Sequence, residues 1–251
     1  MPDYKIRLAR LLARSGCLFF APELRLKDGR PSPYFVNLGR LRTGRLSLEL
    51  GQCFAQWISQ SPLADKLNVL VGPSYKGSAI AQAAALALYQ FNNQDVAFEY
   101  DRKEAKTHGE ASSQATMFVT DALHDGAHVL IVDDVGTSMA TKLEILQKLR
   151  LEEQRQAFKL NIQGIVLAVD REQTQAVYDS QGQVVLGVKG SDAWAEFERD
   201  TGIALYCLLG IRELLDILHT SAEPVQINGR MQPLCSREME LVHDYLHIYG
   251  R

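Results

Sequence analysis

Two adjacent carboxylates, Asp133 and Asp134, follow a strongly apolar segment and precede a run of small and hydroxyl-bearing residues. The stretch 129–146 reads VLIVDDVGTSMATKLEIL, which predicts a buried strand, a short loop and the start of a helix. Backbone N–H groups in such a loop, together with the positive end of the helix, can bind a phosphate. Additional hydroxyl donors are Thr137, Ser138 and Thr141. Because carboxylates accept hydrogen bonds from the vicinal hydroxyls of a sugar, the pattern favours a ribose phosphate as ligand.

Two other interpretations of this stretch are available. Asp133 and Asp134 can simply end the strand and cap the helix. A nucleotide-binding P-loop fits poorly, because Thr141 stands where a second glycine is needed and Leu143 stands where a magnesium-binding Ser or Thr is needed. The residues alone therefore leave helix capping and ribose phosphate binding as open alternatives.

Cations are concentrated in residues 101–114, DRKEAKTHGEASSQ, a stretch without a large apolar residue. Such a stretch contributes nothing to a core, so we expect a solvated, mobile loop. It carries Arg102, Lys103 and Lys106, with His108 as a titratable fourth group. An ordinary solvated surface is the alternative, but apolar partners at helical spacing are missing, which favours a lid over an anionic ligand.

Strands alternate with helices along the chain, and this alternation predicts how the charged groups are positioned. Apolar runs predict strands at 67–71, 97–100, 127–132, 162–169, 184–188 and 204–208. Helical spacing predicts helices at 46–59, 78–91, 141–151 and 237–248, and Asp28-Gly29 predicts a hairpin turn. We expect one α/β domain over residues 1–251, with a mostly parallel sheet flanked by helices. Ligands of such sheets bind beyond the carboxyl ends of the strands.

The composition is that of an ordinary globular protein, with 46% hydrophobic residues, 23% charged residues and a formal net charge of -3. This charge gives no reason to expect nucleic acid or an anionic membrane as a partner. No apolar run reaches the roughly 20 residues that span a bilayer, and the N-terminus lacks the apolar segment of a signal peptide. The four cysteines are widely spaced, which favours reduced core residues. We expect a cytoplasmic protein in which His243 and His247 lie at the surface and bind no metal.

The stretch 129–146 resembles the phosphoribosyl pyrophosphate (PRPP) signature of the type I phosphoribosyltransferases, in which an apolar strand, two acids and a threonine-rich loop follow one another. Other segments are similar to the orotate branch of that family. DRKEAKTHGE resembles its flexible catalytic loop, SPYFVNLG its base-binding segment, GPSYKG its pyrophosphate loop, and VDR at 169–171 the strand end with its orotate-contacting arginine. These blocks occur in the family's order over about residues 24–171.

The resemblance implies a type I phosphoribosyltransferase fold, with a small hood at about residues 17–45, a flexible catalytic loop at 101–114 and a phosphate-binding unit at 129–146. It implies transfer of the phosphoribosyl group from PRPP to orotate, giving orotidine 5'-monophosphate and pyrophosphate. It also implies Mg2+ as cofactor, held mainly by substrate oxygens and water, and a homodimer with shared active sites. A phosphoribosyltransferase for another base and a non-catalytic, ligand-sensing relative stay open as alternatives.

The same resemblance assigns roles to particular residues. The catalytic cations, which surround the leaving pyrophosphate, are Arg102, Lys103, Lys106 and His108. PRPP is also bound by Lys27, Tyr75, Lys76, Asp133, Asp134, Val135, Gly136, Thr137, Ser138, Met139, Ala140 and Thr141. Orotate is bound by Tyr34, Phe35, Thr137 and Arg171. In this arrangement the Phe35 ring covers the face of the flat anion, and the planar guanidinium of Arg171 binds its polar edge.

Three features depart from the family pattern, and one of them is that the predicted lid ends in Glu110-Ala111-Ser112, where the family tends to have glycines. Met139 stands where the phosphate loop usually has a glycine, and a methionine resists the positive φ that glycine permits. We therefore expect weaker phosphate binding unless Gly136 supplies the missing flexibility. The segment 173–192 is longer than the family leads us to expect, and we interpret it as an additional hairpin.

Overall fold

The computed structural model describes residues 2–103, 117–136 and 139–251. The strands of these residues are β1 Leu18–Phe20, β2 Tyr34–Val36, β3 Val69–Gly72, β4 Ala97–Tyr100, β5 His128–Gly136, β6 Asn161–Asp170, β7 Leu205–Gly210, β8 Val225–Ile227 and β9 Arg230–Gln232. The helices are α1 Asp3–Arg14, α2 Gly44–Gln60, α3 Lys76–Asn92, α4 Ala140–Gln156, α5 Ala193–Thr201, α6 Ile211–Thr220 and α7 Ser236–Tyr249, with a 3-10 turn at Leu38–Arg40.

The larger sheet has the strand order β4-β3-β5-β6-β7, and all its neighbouring strands are parallel. Strand β3 is buried along its whole length, and β5 and β6 are buried over most of theirs. Continuous burial is expected of parallel strands that are covered on both faces. The predicted α/β class with a mostly parallel sheet is confirmed, and the carboxyl ends of its strands lie at one edge.

Helices cover both faces of this sheet, and β5 shows how the sequence assigns them. Val129 and Ile131 belong to a core cluster with residues of α4 and α5, whereas Leu130 and Val132 belong to the cluster with α1, α2, α3 and α6. Successive side chains of a strand point to opposite faces. The same alternation therefore directs Asp133 and Asp134, which come next in β5, to opposite faces of the sheet. None of the helices among the described residues is long and apolar enough to cross a bilayer.

A smaller sheet has the order β2-β1-β8-β9, and only β1 and β2 of this sheet come from the predicted hood, residues 17–45. Strands β1 and β2 are antiparallel, and β8 pairs in parallel with β1. The connection between β1 and β2 contains the predicted tight turn: Leu26 N donates to Arg30 O at 2.9 Å, and Gly29 has a φ of +89°. The turn at Asp28-Gly29 is confirmed, although the paired arms lie further from it than the sequence suggests.

The predicted strand at 184–188 is wrong. Val184 forms only an isolated antiparallel bridge with Tyr178, and Gly187 has a φ of +76°, which interrupts extended backbone. The segment is a short hairpin loop, in agreement with the additional hairpin expected within 173–192. The β8–β9 hairpin escapes prediction because each arm has only three residues, although Asn-Gly at 228–229 is a hairpin signal.

Candidate active site

Near the carboxyl end of β5, Asp133 and Asp134 point to opposite faces of the sheet, and each pairs with a lysine from a helix on its own side. Asp133 faces α4, where Lys142 Nζ lies 2.7 Å from the carboxylate Oδ2. Asp134 faces the start of α3, where Lys76 Nζ lies 2.7 Å from the carboxylate Oδ2. The strand end therefore presents two acids and two cations together.

The pair of Asp133 and Lys142 is buried, with side chains only 7% and 6% exposed. Lys142 Nζ also donates to the carbonyl oxygen of Val135 at 3.2 Å. Burial raises the pKa of the Asp133 carboxyl above its ordinary value, and the ammonium of Lys142 opposes that rise. The PRPP signature does not point to Lys142. Its only signal in the sequence is its place on the helical stripe of Ile145, Leu146 and Leu149, where an apolar residue is expected.

The connection from β3 to α3 brings several predicted PRPP-binding residues to Asp134. Lys76 begins α3 and reaches across to β5, with about half of its side chain exposed. The Tyr75 ring is exposed to solvent, and Lys103 Nζ lies 5.4 Å from the centre of that ring. Tyr75, Lys76 and Lys103 are therefore neighbours, as the resemblance implies, while their role in binding PRPP stays a prediction.

Two glycines in this connection allow an unusually close backbone approach. A Cβ atom on Gly72 would lie 2.0 Å from the carbonyl oxygen of Gly77, and a Cβ atom on Gly77 would lie 2.6 Å from Pro73 Cδ. Both distances are too short for any side chain, so only glycine fits. The close packing joins the start of α3, where Lys76 lies, to the end of β3.

The departure at Met139 has a different consequence from the expected one. Met139 precedes α4 with φ -69° and ψ 12°, and its side chain is buried in the core cluster beneath that helix. The prediction that Met139 would have to adopt a positive φ is wrong, because Met139 has a negative φ. Gly136 packs closely instead: a Cβ atom there would lie 2.6 Å from Leu167 Cδ1, so the Leu167 side chain would have to move. Thr137 and Ser138 lie outside the described residues; Val135 belongs to β5, and Ala140 and Thr141 begin α4.

The predicted catalytic loop, residues 101–114, is described only at its start, residues 101–103. Lys106 and His108 lie outside the described residues, whereas Arg102 and Lys103 lie within them. Arg102 N donates to Met117 O at 2.7 Å, which brings the chain before residue 104 next to the chain after residue 116. Arg102 and Lys103 therefore start from a fixed position at the end of β4.

A buried carboxylate strengthens this junction. Glu99 in β4 is fully buried, and its Oε1 accepts hydrogen bonds from the backbone N–H groups of Val119 and Thr120 at 2.9 and 2.8 Å. Its Oε2 accepts a hydrogen bond from Ala122 N at 3.2 Å. Several N–H donors to one carboxylate satisfy the charge without a cation, so Glu99 fixes residues 119–122 against β4.

Two of the four residues assigned to orotate lie at a cavity of about 390 Å3 between the hairpin turn and the end of β6. Phe35 and Arg171 line this cavity, together with Lys27, which is assigned to PRPP. Arg171 is buried, and its Nη2 donates to Ser32 Oγ at 3.1 Å. Its guanidinium carbon lies 4.8 Å from the centre of the buried Tyr34 ring, so that ring supports Arg171 from beneath.

A second arginine, Arg30, lines the same cavity. It is only 2% exposed, and its Nε and Nη2 donate to Asp28 Oδ2 at 3.0 and 2.7 Å. Its guanidinium carbon lies 5.3 Å from the centre of the Tyr249 ring. Among the described residues its Nη1 has no hydrogen-bond acceptor. The sequence gives little sign of this, because a charged residue next to a turn is ordinarily exposed.

Comparison with known proteins places this geometry in a family. Residues 39–191, more than half of the chain, match the model of the phosphoribosyl transferase domain. The chain is 33% identical over 249 residues to the orotate phosphoribosyltransferase of Bifidobacterium longum, covering 97% of this chain and 96% of that protein. It is 35% identical over 220 residues to that of Chromohalobacter salexigens, covering 88% and 85%.

A solved structure agrees with these relatives. The crystal structure of the orotate phosphoribosyltransferase of Francisella tularensis superimposes with a TM-score of 0.70 at 25% identity, covering 96% of this chain and 98% of that chain. The fold is therefore shared along nearly the whole chain. The chain belongs to the phosphoribosyltransferase family, and within it to the orotate phosphoribosyltransferases.

Proposed function

We propose that the chain transfers the phosphoribosyl group of PRPP to orotate, which gives orotidine 5'-monophosphate and pyrophosphate as part of pyrimidine biosynthesis. The observation that carries this proposal is the distribution of charge along one edge of the parallel sheet. Lys76 follows β3, Arg102 follows β4, Asp133 and Asp134 lie near the end of β5, and Arg171 follows β6. Ligands of α/β sheets bind at this edge, and these charges match a ribose that carries a diphosphate and receives an anionic base.

The ion pairs at β5 support the proposed binding of PRPP. Asp134 is the more accessible acid and accepts hydrogen bonds from the ribose hydroxyls, which releases Lys76 to bind pyrophosphate. The loop that leads into α4 holds the 5'-phosphate with backbone N–H groups and the helix N-terminus. As the bond between ribose C1 and the pyrophosphate oxygen breaks, negative charge grows on the leaving group. Arg102 and Lys103, with Lys106 and His108, stabilise that charge.

Orotate binding uses the cavity at the end of β6. Lys27, Arg30 and Arg171 bring three cations to this cavity, and Asp28 is paired with Arg30. A flat base with a carboxylate matches both the positive charge and the aromatic face of Phe35. This charge favours orotate over a neutral purine as the acceptor.

Mg2+ is the cofactor that we propose, held mainly by oxygens of PRPP and by water. Both acids near the end of β5 already have lysine partners. The part of the chain that the structure describes contains no cluster of three or more His, Cys, Asp or Glu suited to a metal. These residues therefore fit an ion that takes most of its ligands from the substrate. When bound, the ion neutralises part of the pyrophosphate charge.

We also propose a cytoplasmic homodimer without nucleic acid or membrane partners. Leu86 and Tyr89, one turn apart on α3, are 56% and 62% exposed. Large apolar side chains exposed together are typical of a surface that a second protein covers. Light scattering of the purified protein should give twice the mass of the chain, and the mass of a single chain would contradict the dimer.

The activity is tested by release of pyrophosphate from PRPP with orotate and Mg2+. Adenine and uracil in place of orotate test for another base, and titration calorimetry with PRPP and Mg2+ tests binding without turnover. Release of pyrophosphate with orotate as the base, but not with adenine, supports the proposal. Release with adenine alone would indicate another base, and PRPP binding without release for any base would indicate a ligand-sensing protein.

Asp134→Asn should weaken the binding of PRPP but strengthen the binding of inorganic pyrophosphate. The amide loses the charged acceptor for the ribose hydroxyls, so the KM for PRPP should rise about tenfold. Lys76 also loses its ion pair and becomes available to pyrophosphate, whose inhibition constant should fall. Initial rates with pyrophosphate as product inhibitor measure both effects. The matched control is Asp65→Asn, which changes an exposed acid. If PRPP and pyrophosphate both bound more weakly, and to the same extent, the role of Asp134 in binding the ribose would be contradicted.

A further inference from the structure

Lys148, on α4, is a buried lysine outside the set of residues that the family signature designates. It is 8% exposed, and its Nζ lies 2.5 Å from Asp101 Oδ2 at the end of β4. The same ammonium lies 3.4 Å from the carbonyl oxygen of Arg102 and 2.8 Å from Glu144 one turn earlier on α4. A buried charge is unfavourable unless its partners are well placed, so these contacts fix the position of the ammonium.

Asp101 extends this connection to a second segment. Its other carboxylate oxygen, Oδ1, accepts a hydrogen bond from Ser74 N at 2.6 Å, and Ser74 Oγ donates to the carbonyl oxygen of Asp101. Ser74 lies two residues before Lys76. Lys148 and Asp101 therefore join α4, the end of β4 and the connection from β3 to α3.

We propose that Lys148 is a positioning residue for PRPP, which sets the distance between the site of the pyrophosphate and the site of the 5'-phosphate. The inference rests on the proposed function. PRPP carries phosphates at both ends of one ribose, so the two anion sites must keep a fixed separation for the reacting atoms to align. Helix α4 begins directly after the phosphate loop, and Lys148 links this helix through Asp101 to Ser74 and Lys76. It touches neither substrate.

The charge that this role needs persists at neutral pH. Burial lowers the pKa of the Lys148 ammonium, but hydrogen bonds to Asp101 and Glu144 outweigh burial and raise the pKa above its ordinary value. The ammonium is therefore protonated wherever the enzyme is assayed near neutrality, and its contact with Asp101 is a charged hydrogen bond.

Lys148→Met tests the inference, because methionine has a similar length and no charge. We expect the KM for PRPP and the inhibition constant of pyrophosphate to rise about tenfold, while the KM for orotate stays within about twofold, because Arg171 and Phe35 are not part of the network. The matched control is Lys66→Met, which removes an exposed lysine before β3 and should change none of these constants. An unchanged KM for PRPP in Lys148→Met would overturn the inference.

A second variant separates positioning from stability. Removing Lys148 leaves the buried Asp101 carboxylate without its cation, which destabilises the fold. Lys148→Met with Asp101→Asn removes that charge, while the amide oxygen can still accept from Ser74 N. The double variant should recover thermal stability but keep the raised KM for PRPP, and it provides the test if the single variant does not fold. If the double variant recovered both its thermal stability and the wild-type KM for PRPP, the inference would be overturned. Absence of orotate-dependent pyrophosphate release in the wild-type chain would instead contradict the proposed function.

Discussion

Lys106→Ala should lower turnover about 10³-fold and leave the affinity for orotate almost unchanged, because the lost cation acts on charge that develops in the transition state. Lys106 belongs to a stretch without large apolar residues, so its side chain is not needed for the core. Arg102 and Lys103 remain in place at the end of β4. The measurements are kcat with saturating orotate and PRPP, and far-ultraviolet circular dichroism as a test of folding.

The neighbouring substitution Thr107→Ala is the matched control, since it changes the same segment without changing its charge. We expect turnover close to that of the wild-type chain. If Lys106→Ala also turned over normally, Lys106 would have no catalytic role. If both variants lost activity to the same extent, the conformation of the segment would matter and the charge of Lys106 would not.

Arg171→Lys should lower kcat/KM for orotate about 100-fold although the positive charge is kept, because an ammonium cannot replace a planar fork at a carboxylate. The arginine is buried above Tyr34 and held by Ser32, so its donors are fixed in direction. The KM for PRPP should stay within about threefold, since the diphosphate and ribose lie at other strand ends. Initial rates with each substrate varied in turn measure both constants.

Uracil, which lacks the carboxylate of orotate, sharpens this test. The wild-type chain should strongly prefer orotate, and Arg171→Lys should lose most of that preference because the preference depends on the guanidinium. Arg199→Lys, at an exposed arginine on α5, is the control and should keep it. An unchanged preference in Arg171→Lys would assign recognition of the carboxylate to another residue, with Arg30 as the first candidate.

Local patterns predict the parts of the fold that place the active site. Strand β4 coincides with the predicted 97–100, and β3 and β6 lie within two residues of the predicted runs. These elements are predictable because buried parallel strands are apolar on both faces and helices have their own periodicity. The order of strands then brings Lys76, Asp134 and Arg171 to one edge. The substrates assigned to these residues came from the family resemblance, because spacing alone left helix capping as an alternative for the two acids.

Contacts between distant residues are where prediction from the sequence stops. Lys142 and Lys148 both belong to α4, and only the folded chain shows their acidic partners: Asp133 in β5 for Lys142, and Asp101 directly after β4 for Lys148. Arg30 is similar, because its burial depends on Tyr249 from the C-terminal helix. Met139 fails for another reason: the family pattern suggests a backbone conformation, and this chain has a different one there.

The ion pair of Lys76 and Asp134 also affects which anions other than the substrate bind to the enzyme. A free lysine would draw in any common metabolite with a phosphate, whereas a lysine already neutralised by a carboxylate gains little from such an anion. Only a molecule that offers hydroxyls to Asp134 and a diphosphate to Lys76 satisfies both side chains at once. Because Lys76 and Asp134 neutralise each other before the substrate binds, the site favours binding of complete PRPP over binding of free phosphate or pyrophosphate.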